Sequence, residues 1–516
     1  MESASVGKRI SVDGYYGTIK FIGSVPPTKG DWLGVDWDDP DRGKHDGSRD
    51  GVQYFNCQCK TSGSFVRPQK ANYGVNICDA IRERYTSAGD DSYDCDVYFG
   101  TKKTITVGMD KVQKTFEKLD SLKDLGLRGL NVSSAGEPGS LGAMVPSVVS
   151  VNISQNLFSY WSTIYQVILE LPLLNFLSIS ENRITMDVID EENTIQPKYL
   201  KTLVANKCHF TWSDIICCCQ SLPSLKKLVV AANSITSIGI PLNDMFTHLN
   251  TLDLSENKLS SWDEVRKLKD LPELTNLLLV DCGLDCMHID VGDFPKLMCI
   301  FISNNKFQDY VVFDELNKLI SLEELHVRNI PVFEKEKDYA TAEGIIIAKI
   351  SNLKLLNRSS VDSIQRQSAE LDYLKAFAVD WRKNGGHQNP NLNKPSADFL
   401  KAHPCYMKLV SQYGALEDHQ IIKKSTALKN NLIEVIIDAH LIKPQCPLIN
   451  KKLPLSMKIG NLKILLRRLT KIDIRDQRLV YISKDNQRLE VEMFKDDESL
   501  HDISIEPGDI IQIRSK

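Results

Sequence analysis

Several features are scarce in this 516-residue sequence, and each scarcity removes a class of function. No run of about 18 apolar residues occurs, so no membrane-spanning helix is expected. Charge of one sign is also missing. Lys+Arg number 63 and Asp+Glu 67, a formal net charge of -4, so there is no basic excess of the kind a general nucleic-acid binder needs. Met1 to Arg9 contain no apolar stretch, so no secretion signal is expected and the three Asn-x-Ser triplets (at Asn131, Asn152 and Asn357) are expected to stay bare. Sustained a/d heptads are absent, which argues against a coiled coil. The patterns GxxxxGK[ST], HExxH and GxSxG are absent too. Gly43-Lys44 lacks the earlier glycine and the following Ser/Thr, so neither an enzyme nor a cofactor is expected.

Cysteine is present, but not in a paired pattern. There are 13, an odd number. Cys57 and Cys59 are one residue apart, and Cys282 and Cys286 three, which is not the paired CxxC of a zinc site. Cys217-Cys218-Cys219 follow the apolar pair Ile215-Ile216 and read as mostly buried free thiols. The expectation is a reducing, cytoplasmic compartment with no disulfide framework and no metal. Length alone predicts about three domains.

The first seventy residues are glycine-rich, with short strand-like runs at Val6–Val12, Gly17–Ile22 and Trp32–Trp37. Such spacing suggests a small barrel. Gly17-Thr18-Ile19-Lys20-Phe21-Ile22-Gly23, Gly30-Asp31-Trp32-Leu33-Gly34-Val35, Gly43-Lys44-His45-Asp46-Gly47, Tyr54-Phe55 and Gly63-Ser64-Phe65-Val66-Arg67 follow in order. This segment resembles the CAP-Gly family, whose members bind acidic tails ending in an aromatic residue, as on α-tubulin. The resemblance implies a site built from Trp32, Gly43, Lys44, His45, Asp46, Gly47, Phe65 and Arg67. Trp32 and Phe65 would line an apolar slot, while Lys44, Arg67 and loop amides would donate to carboxylates. Two departures stand out: His45 replaces the signature asparagine, and Pro27 sits where many tail binders carry an aromatic. Residues 1–70 hold ten Lys+Arg against nine Asp+Glu, so recognition of an acidic tail has to be local. Asp36, Asp38, Asp39 and Asp41 read as a solvated acidic turn, because a calcium loop would need glycine where Asp41 stands.

Residues 71–108 read as a flexible linker with a helical stretch near Val75–Arg84 and a polar centre at Ala88-Gly89-Asp90-Asp91. Asp110 is expected to cap a helix through Leu119. A repeat follows, with apolar residues at offsets 0, +3 and +5 and a corner at +8. The best copies are Leu174-Leu177-Ile179-Asn182, Leu225-Leu228-Val230-Asn233, Leu249-Leu252-Leu254-Asn257 and Leu297-Ile300-Ile302-Asn305. Degenerate copies end at Asn156, Cys208, Cys282 and Ile330, and Leu127-Leu130-Val132-Ala135 reads as the first copy. From Asn156 the corners step by 26, 26, 25, 24, 25, 23 and 25 residues, the period of leucine-rich repeats. Asn or Cys at the corner would satisfy backbone groups where the chain turns inside a solenoid. The exposed +4 positions Ser178, Val229, Asp253 and Phe301 form no ladder of one chemistry. Ile345–Trp381, with Arg366, Glu370 and Tyr373, resembles a leucine-rich-repeat cap.

Residues 383–429 read as a second linker. From 430 to 516 the order of strand-like runs (Leu432–Asp438, Lys452–Lys458, Gln477–Tyr481, Ile510–Ile513) around an amphipathic segment Asn461–Leu469 resembles a ubiquitin-like β-grasp. The chain ends Arg514-Ser515-Lys516, without the Gly-Gly a conjugated modifier needs, and Val480 aligns with the centre of an apolar docking patch.

The sequence therefore predicts a multidomain α+β chain: a CAP-Gly barrel (1–70), a leucine-rich-repeat solenoid with a helical cap (109–382) and a ubiquitin-like domain (430–516). That order resembles the tubulin-folding cofactor family. It implies a cytoplasmic, cytoskeleton-associated chaperone that binds α-tubulin, works with other tubulin cofactors, and assembles or dissociates the α/β-tubulin heterodimer. Two rival readings are a microtubule-associated scaffold and a ubiquitin-pathway adaptor whose C-terminal domain meets the proteasome.

Overall fold

A computed structural model describes residues 4–86, 98–99, 102–103, 119–187, 197–241, 245–336, 338–416, 432–484, 490–500, 502–503 and 505–515. The polar centre at Ala88–Asp91 and the helix expected from Asp110 lie outside these residues. The chain divides into two compact units: Met1–Leu374 with Ala397–Tyr413, and Lys375–Ser396 with Gly414–Lys516.

The first unit begins with four antiparallel strands, Arg9–Val12, Tyr15–Ser24, Asp31–Trp37 and Gly63–Val66, paired in that order. Ile10, Val12, Ile19, Leu33, Val35 and Trp37 close a small core beneath them. The expected barrel is not closed among the described residues. A single bridge between Ser11 and Asn72 returns the chain to the first strand. With strands this short, that one contact does not extend into a closing ladder.

The solenoid follows. Short strands from Asp124–Gly126 to Leu355–Leu356 stack in parallel, with Leu125, Val151, Leu177, Leu203, Leu228, Leu252, Leu277, Ile300, Leu325 and Leu356 in register. These are the +3 positions of the repeat, and each is buried. The register corrects the start of the array. Leu125 pairs with Val151, so the first copy is Leu122-Leu125-Leu127 and not Leu127-Leu130-Val132. Leu122, Leu125, Leu127 and Leu130 allow both frames in the sequence, and only the neighbouring strand decides.

The corner asparagines form a buried ladder. Asn257 Nδ2 donates to Val230 O at 3.0 Å and Leu254 O at 2.8 Å, while its Oδ1 accepts from the amides of Asn233 and Ile235, both at 3.0 Å. Asn182, Asn233 and Asn305 repeat this bridging between turns. At the cysteine corners a thiol replaces the amide: Cys208 Sγ donates to Ile179 O at 3.4 Å and Cys282 Sγ to Leu254 O at 3.3 Å. Burial pushes both thiols up to about 12.

Both ends of the solenoid are covered, and the covers correct two linker assignments. Val75–Asn76 pairs in parallel with Val132–Ser134, and the Ile77–Thr86 helix buries Ile77, Cys78, Ala80 and Ile81 in the solenoid core. Residues 75–86 are therefore an end cap, because their apolar face shields the first turn, which has no preceding repeat. At the other end, Arg366 donates to the carbonyls of Ile347 and Ile350 at 2.9 and 3.2 Å and also to Leu353 O. The helices Ala397–Ala402 and Tyr406–Tyr413 pack there as well. Tyr406 donates to Leu374 O at 3.0 Å and Tyr413 to Glu370 at 2.5 Å, so residues 397–413 belong to the first unit. Their buried Phe399, Tyr406 and Leu409 supply the apolar area that a linker would lack.

In the second unit, five strands run in the spatial order Ile449–Pro454, Leu432–Asp438, Ile510–Arg514, Arg478–Ile482, Glu490–Glu492. The central pair is parallel and the others antiparallel. The Ile459–Thr470 helix buries Ile459, Leu462 and Leu466 with Val435, Ile437, Ile511 and Ile513. No helix of the described residues is long and apolar enough to cross a membrane.

Candidate ligand pocket of the N-terminal module

A cavity of about 560 Å³ opens on the N-terminal module, lined by Trp32, Lys44, His45, Phe65 and Arg67 of the expected site. The sheet register explains why these distant residues meet. Leu33 pairs with Val66 and Gly34 with Phe65, which carries Trp32, Phe65 and Arg67 to one edge. The loop bearing Lys44 and His45 is fastened to the same strand: Lys44 N and His45 N donate to Gly63 O at 2.7 and 3.2 Å, and Gly63 N returns to His45 O at 2.8 Å.

Gly43 and Gly47 shape the loop without lining the cavity. A Cβ on Gly43 would lie 2.0 Å from Thr61 O, and one on Gly47 (φ +95°) 1.9 Å from Phe55 O. Neither position tolerates a side chain, which accounts for the glycines by close approach. Asp46 also stays outside. Its Oδ1 accepts from Ser48 N and Oγ at 3.0 and 2.5 Å, and these bonds lower its pKa.

The walls are aromatic and cationic. The Arg67 guanidinium sits 3.8 Å from the Trp32 ring centroid, and Trp32 Nε1 donates to Thr28 Oγ1 at 2.8 Å. His45 lies 4.9 Å from Phe65, which meets Tyr54 edge-on at 5.4 Å. His45 Nδ1 accepts from Gly47 N at 3.0 Å, and burial lowers its pKa. It is therefore a neutral acceptor that holds the loop.

The lining also includes residues that the sequence analysis does not single out: Arg42, Arg49, Lys70, Trp37, Ser64, Val66, Val12 and Asp13. Five cations (Arg42, Lys44, Arg49, Arg67, Lys70) and one carboxylate, Asp13, line the cavity; Asp13 pairs with Arg42 at 3.7 Å, and Arg49 pairs with Asp50, outside the lining, at 3.5 Å. A module of nearly zero net charge thus concentrates its positive charge at one mouth. The spacing of Arg49, two residues after Gly47, and of Lys70, after the last strand, was a usable signal. Arg42 needed the fold, since its guanidinium stacks over Trp37 at 5.1 Å and Tyr15 at 5.0 Å.

The acidic turn is not wholly solvated. Asp36 is buried and accepts from Ser62 Oγ at 2.6 Å. Asp38 pairs with Arg9 and, at 3.2 Å, with Arg183 of the solenoid. Arg183 also donates to Gln58 Oε1 at 2.8 Å, Arg9 N donates to Ser159 Oγ at 2.9 Å, and Ser11 Oγ to Asn131 Oδ1 at 3.0 Å. The module is docked on the solenoid, not tethered at a distance.

Val480 is not the exposed anchor expected of it. It is 3% exposed, and strand alternation puts it on the face that carries the Arg478–Glu492 and Arg514–Glu490 pairs, between those long side chains.

The model of the CAP-Gly domain family matches residues 6–71. Over 520 residues the chain is 37% identical to the Mus musculus protein named tubulin-specific chaperone E, covering 99% of this chain and 98% of that one. It is 29% identical over 489 residues to the Arabidopsis thaliana protein named tubulin-folding cofactor E, covering 90% and 89% respectively. A solution structure of the C-terminal ubiquitin-like domain of mouse tubulin-specific chaperone e is 30% identical and covers 17% of this chain and 88% of that one, with a TM-score of 0.16.

Proposed function

Because the chain belongs to the tubulin-specific chaperone E family, we propose that its N-terminal pocket binds the acidic C-terminal tail of α-tubulin while the solenoid holds the body of the same subunit. The chain is a tubulin-folding cofactor, and no catalytic step is assigned to it. One observation supports the tail assignment above the rest: five cations and two aromatic walls converge on one cavity whose lining holds a single carboxylate, Asp13. A tail of carboxylates ending in an aromatic ring matches that lining, ring against Trp32 and Phe65, carboxylates against Lys44, Arg67 and Arg49.

A bound tail peptide buries too little area for selective handling of a folded subunit. The parallel ladder of the solenoid is the large surface available beside it. We read the three parts as a CAP-Gly module, a leucine-rich-repeat solenoid with both ends capped, and a ubiquitin-like β-grasp that docks partners. Action with other tubulin cofactors, in a cytoplasmic, cytoskeleton-associated setting, follows from the same reading. The test is to mix the pure chain with tubulin heterodimer and follow α-tubulin by size-exclusion chromatography. Departure of α-tubulin with the chain supports the proposal. Passive co-migration of intact heterodimer would favour the scaffold reading.

A further inference from the structure

On the exposed face of the ladder, near its C-terminal end, three metal-ligating side chains meet. Cys299 and Glu324 are lateral partners in adjacent parallel strands, and His326 follows Glu324 on the same face, two residues along. One ligand atom from each lies within 4.8 Å of the others. His326 Nε2 and Glu324 Oε1 are 2.7 Å apart, and the imidazole is stacked on Phe301 with centroids 3.9 Å apart and planes 5° from parallel. His326 is 8% exposed and Cys299 5%, so neither swings freely.

We propose that Cys299, Glu324 and His326 bind a Zn²⁺ ion through three protein ligands, with the fourth position open to water on the exposed face of the solenoid.

Thiolate, imidazole and carboxylate together are the donor set of a borderline cation, and three protein ligands with an open fourth position is a recurrent zinc arrangement. Ligands about 2.0–2.3 Å from a tetrahedral ion lie roughly 3.3–3.7 Å apart, so the His326–Glu324 contact at 2.7 Å has to open while any wider spacing within the 4.8 Å cluster closes. Strand backbones fix where all three start, and the Phe301 stack holds the ring plane. A divalent ion takes the proton's place on the Cys299 sulfur and its charge offsets that of the Glu324 carboxylate, so binding releases the thiol proton to solvent. The sequence conceals the site because its members come from two repeats, at offsets +2, +2 and +4, and no CxxC spacing announces it.

The test uses the full chain, stripped with chelator and titrated first with Co²⁺ and then with Zn²⁺ under reducing conditions. The expected result is a single equivalent of Co²⁺ with tetrahedral visible bands and a thiolate charge-transfer band, displaced by Zn²⁺. Cys299→Ser should lose the charge-transfer band and weaken Zn²⁺ binding more than about 100-fold, beyond the usual penalty for losing an outer-shell partner. Glu324→Gln, which keeps the shape and a hydrogen-bonding oxygen for His326, should also weaken it. Cys286→Ser, at an exposed cysteine outside the cluster, should leave it unchanged. Circular dichroism melts establish that each variant is folded. Wild-type Zn²⁺ affinity in folded Cys299→Ser, or no Zn²⁺ uptake by the wild-type chain, would overturn the proposal.

Discussion

Arg183 of the solenoid holds Asp38 of the N-terminal module at 3.2 Å, and the same guanidinium reaches Gln58 at 2.8 Å. Arg9 shares that carboxylate from the module's own first strand. One acidic side chain therefore sits between two cations contributed by segments far apart in sequence. Arg183→Ala removes the solenoid's half of this junction and leaves Asp38 with Arg9 alone. Hydrogen bonds to charged groups contribute about 1.5–3 kcal/mol each when they are not fully exposed. The expected outcome is faster hydrogen exchange in residues 36–58 without global unfolding. Unchanged exchange there would mean the Arg9–Ser159 and Ser11–Asn131 contacts hold the module by themselves.

Lys44 takes no carboxylate partner among the described residues, although it lines the pocket. Its charge is available to a ligand. Calorimetry with an α-tubulin tail peptide should show Lys44→Ala losing about 1.5–3 kcal/mol of binding free energy. Removing the peptide's final aromatic residue should lose a comparable amount, since the Trp32 and Phe65 walls would then face water. Equal affinity for the shortened peptide rejects the slot.

His45 makes a prediction with a definite sign. Burial lowers its pKa from the ordinary 6.5 because the neutral ring, with Nδ1 accepting from Gly47 N, is the form that fits. The unfolded loop binds a proton more readily than the folded one, so the loop's stability is complete above about pH 6.5 and declines as pH falls towards the lowered pKa. Protection of the Gly47 amide, followed by NMR, should fall across that window. His45→Asn supplies an uncharged acceptor and should flatten the dependence. If the asparagine variant keeps the same pH profile, another group is titrating.

The ladder corners separate a two-way bridge from a one-way donor. Asn257→Ala strips acceptors from the amides of Asn233 and Ile235 and a donor from the carbonyls of Val230 and Leu254. Each buried group left unpaired costs about 1–3 kcal/mol, so urea midpoints should drop clearly. Cys282→Ala removes one weak sulfur donor and should cost much less. Equal losses would show that the corner side chains act by packing alone.

These corners were legible in the sequence because a repeat prints the same physical demand every 23 to 26 residues. The pocket was legible for a different reason: its glycines and aromatics sit in one ordered motif that the sheet folds onto itself. What escaped was non-periodic. The Ile77–Thr86 cap is a single amphipathic helix whose partner surface exists only once the solenoid is stacked. The Asp38–Arg183 pair joins residues 145 apart and leaves no local pattern. Val480 carried the right residue type at the right strand position, yet its exposure depended on flanking Arg–Glu pairs in other strands.

The docked module changes how the two-site reading has to be tested. Cutting the chain after residue 108 would remove Ile77, Cys78, Ala80 and Ile81 from the solenoid core, so failure of that fragment would report unfolding and not lost binding. Point substitutions in the intact chain avoid this. Lys44→Ala with Arg67→Ala disables the pocket while leaving Asp38, Arg9 and Arg183 in place. If the solenoid holds the body of α-tubulin, this double variant should bind tail-cleaved α-tubulin as well as the wild-type chain does. It should also lose the extra affinity that intact α-tubulin enjoys, because the second contact of a linked pair is made at a high effective concentration. Fixed geometry sharpens the prediction. A module held by Arg183 has one distance to the ladder, so Arg183→Ala should lower affinity for intact α-tubulin while leaving affinity for the free tail peptide untouched. If neither the wild-type chain nor the double variant binds tail-cleaved α-tubulin, the solenoid is not a client site, and the pocket alone tethers the chain to its partner.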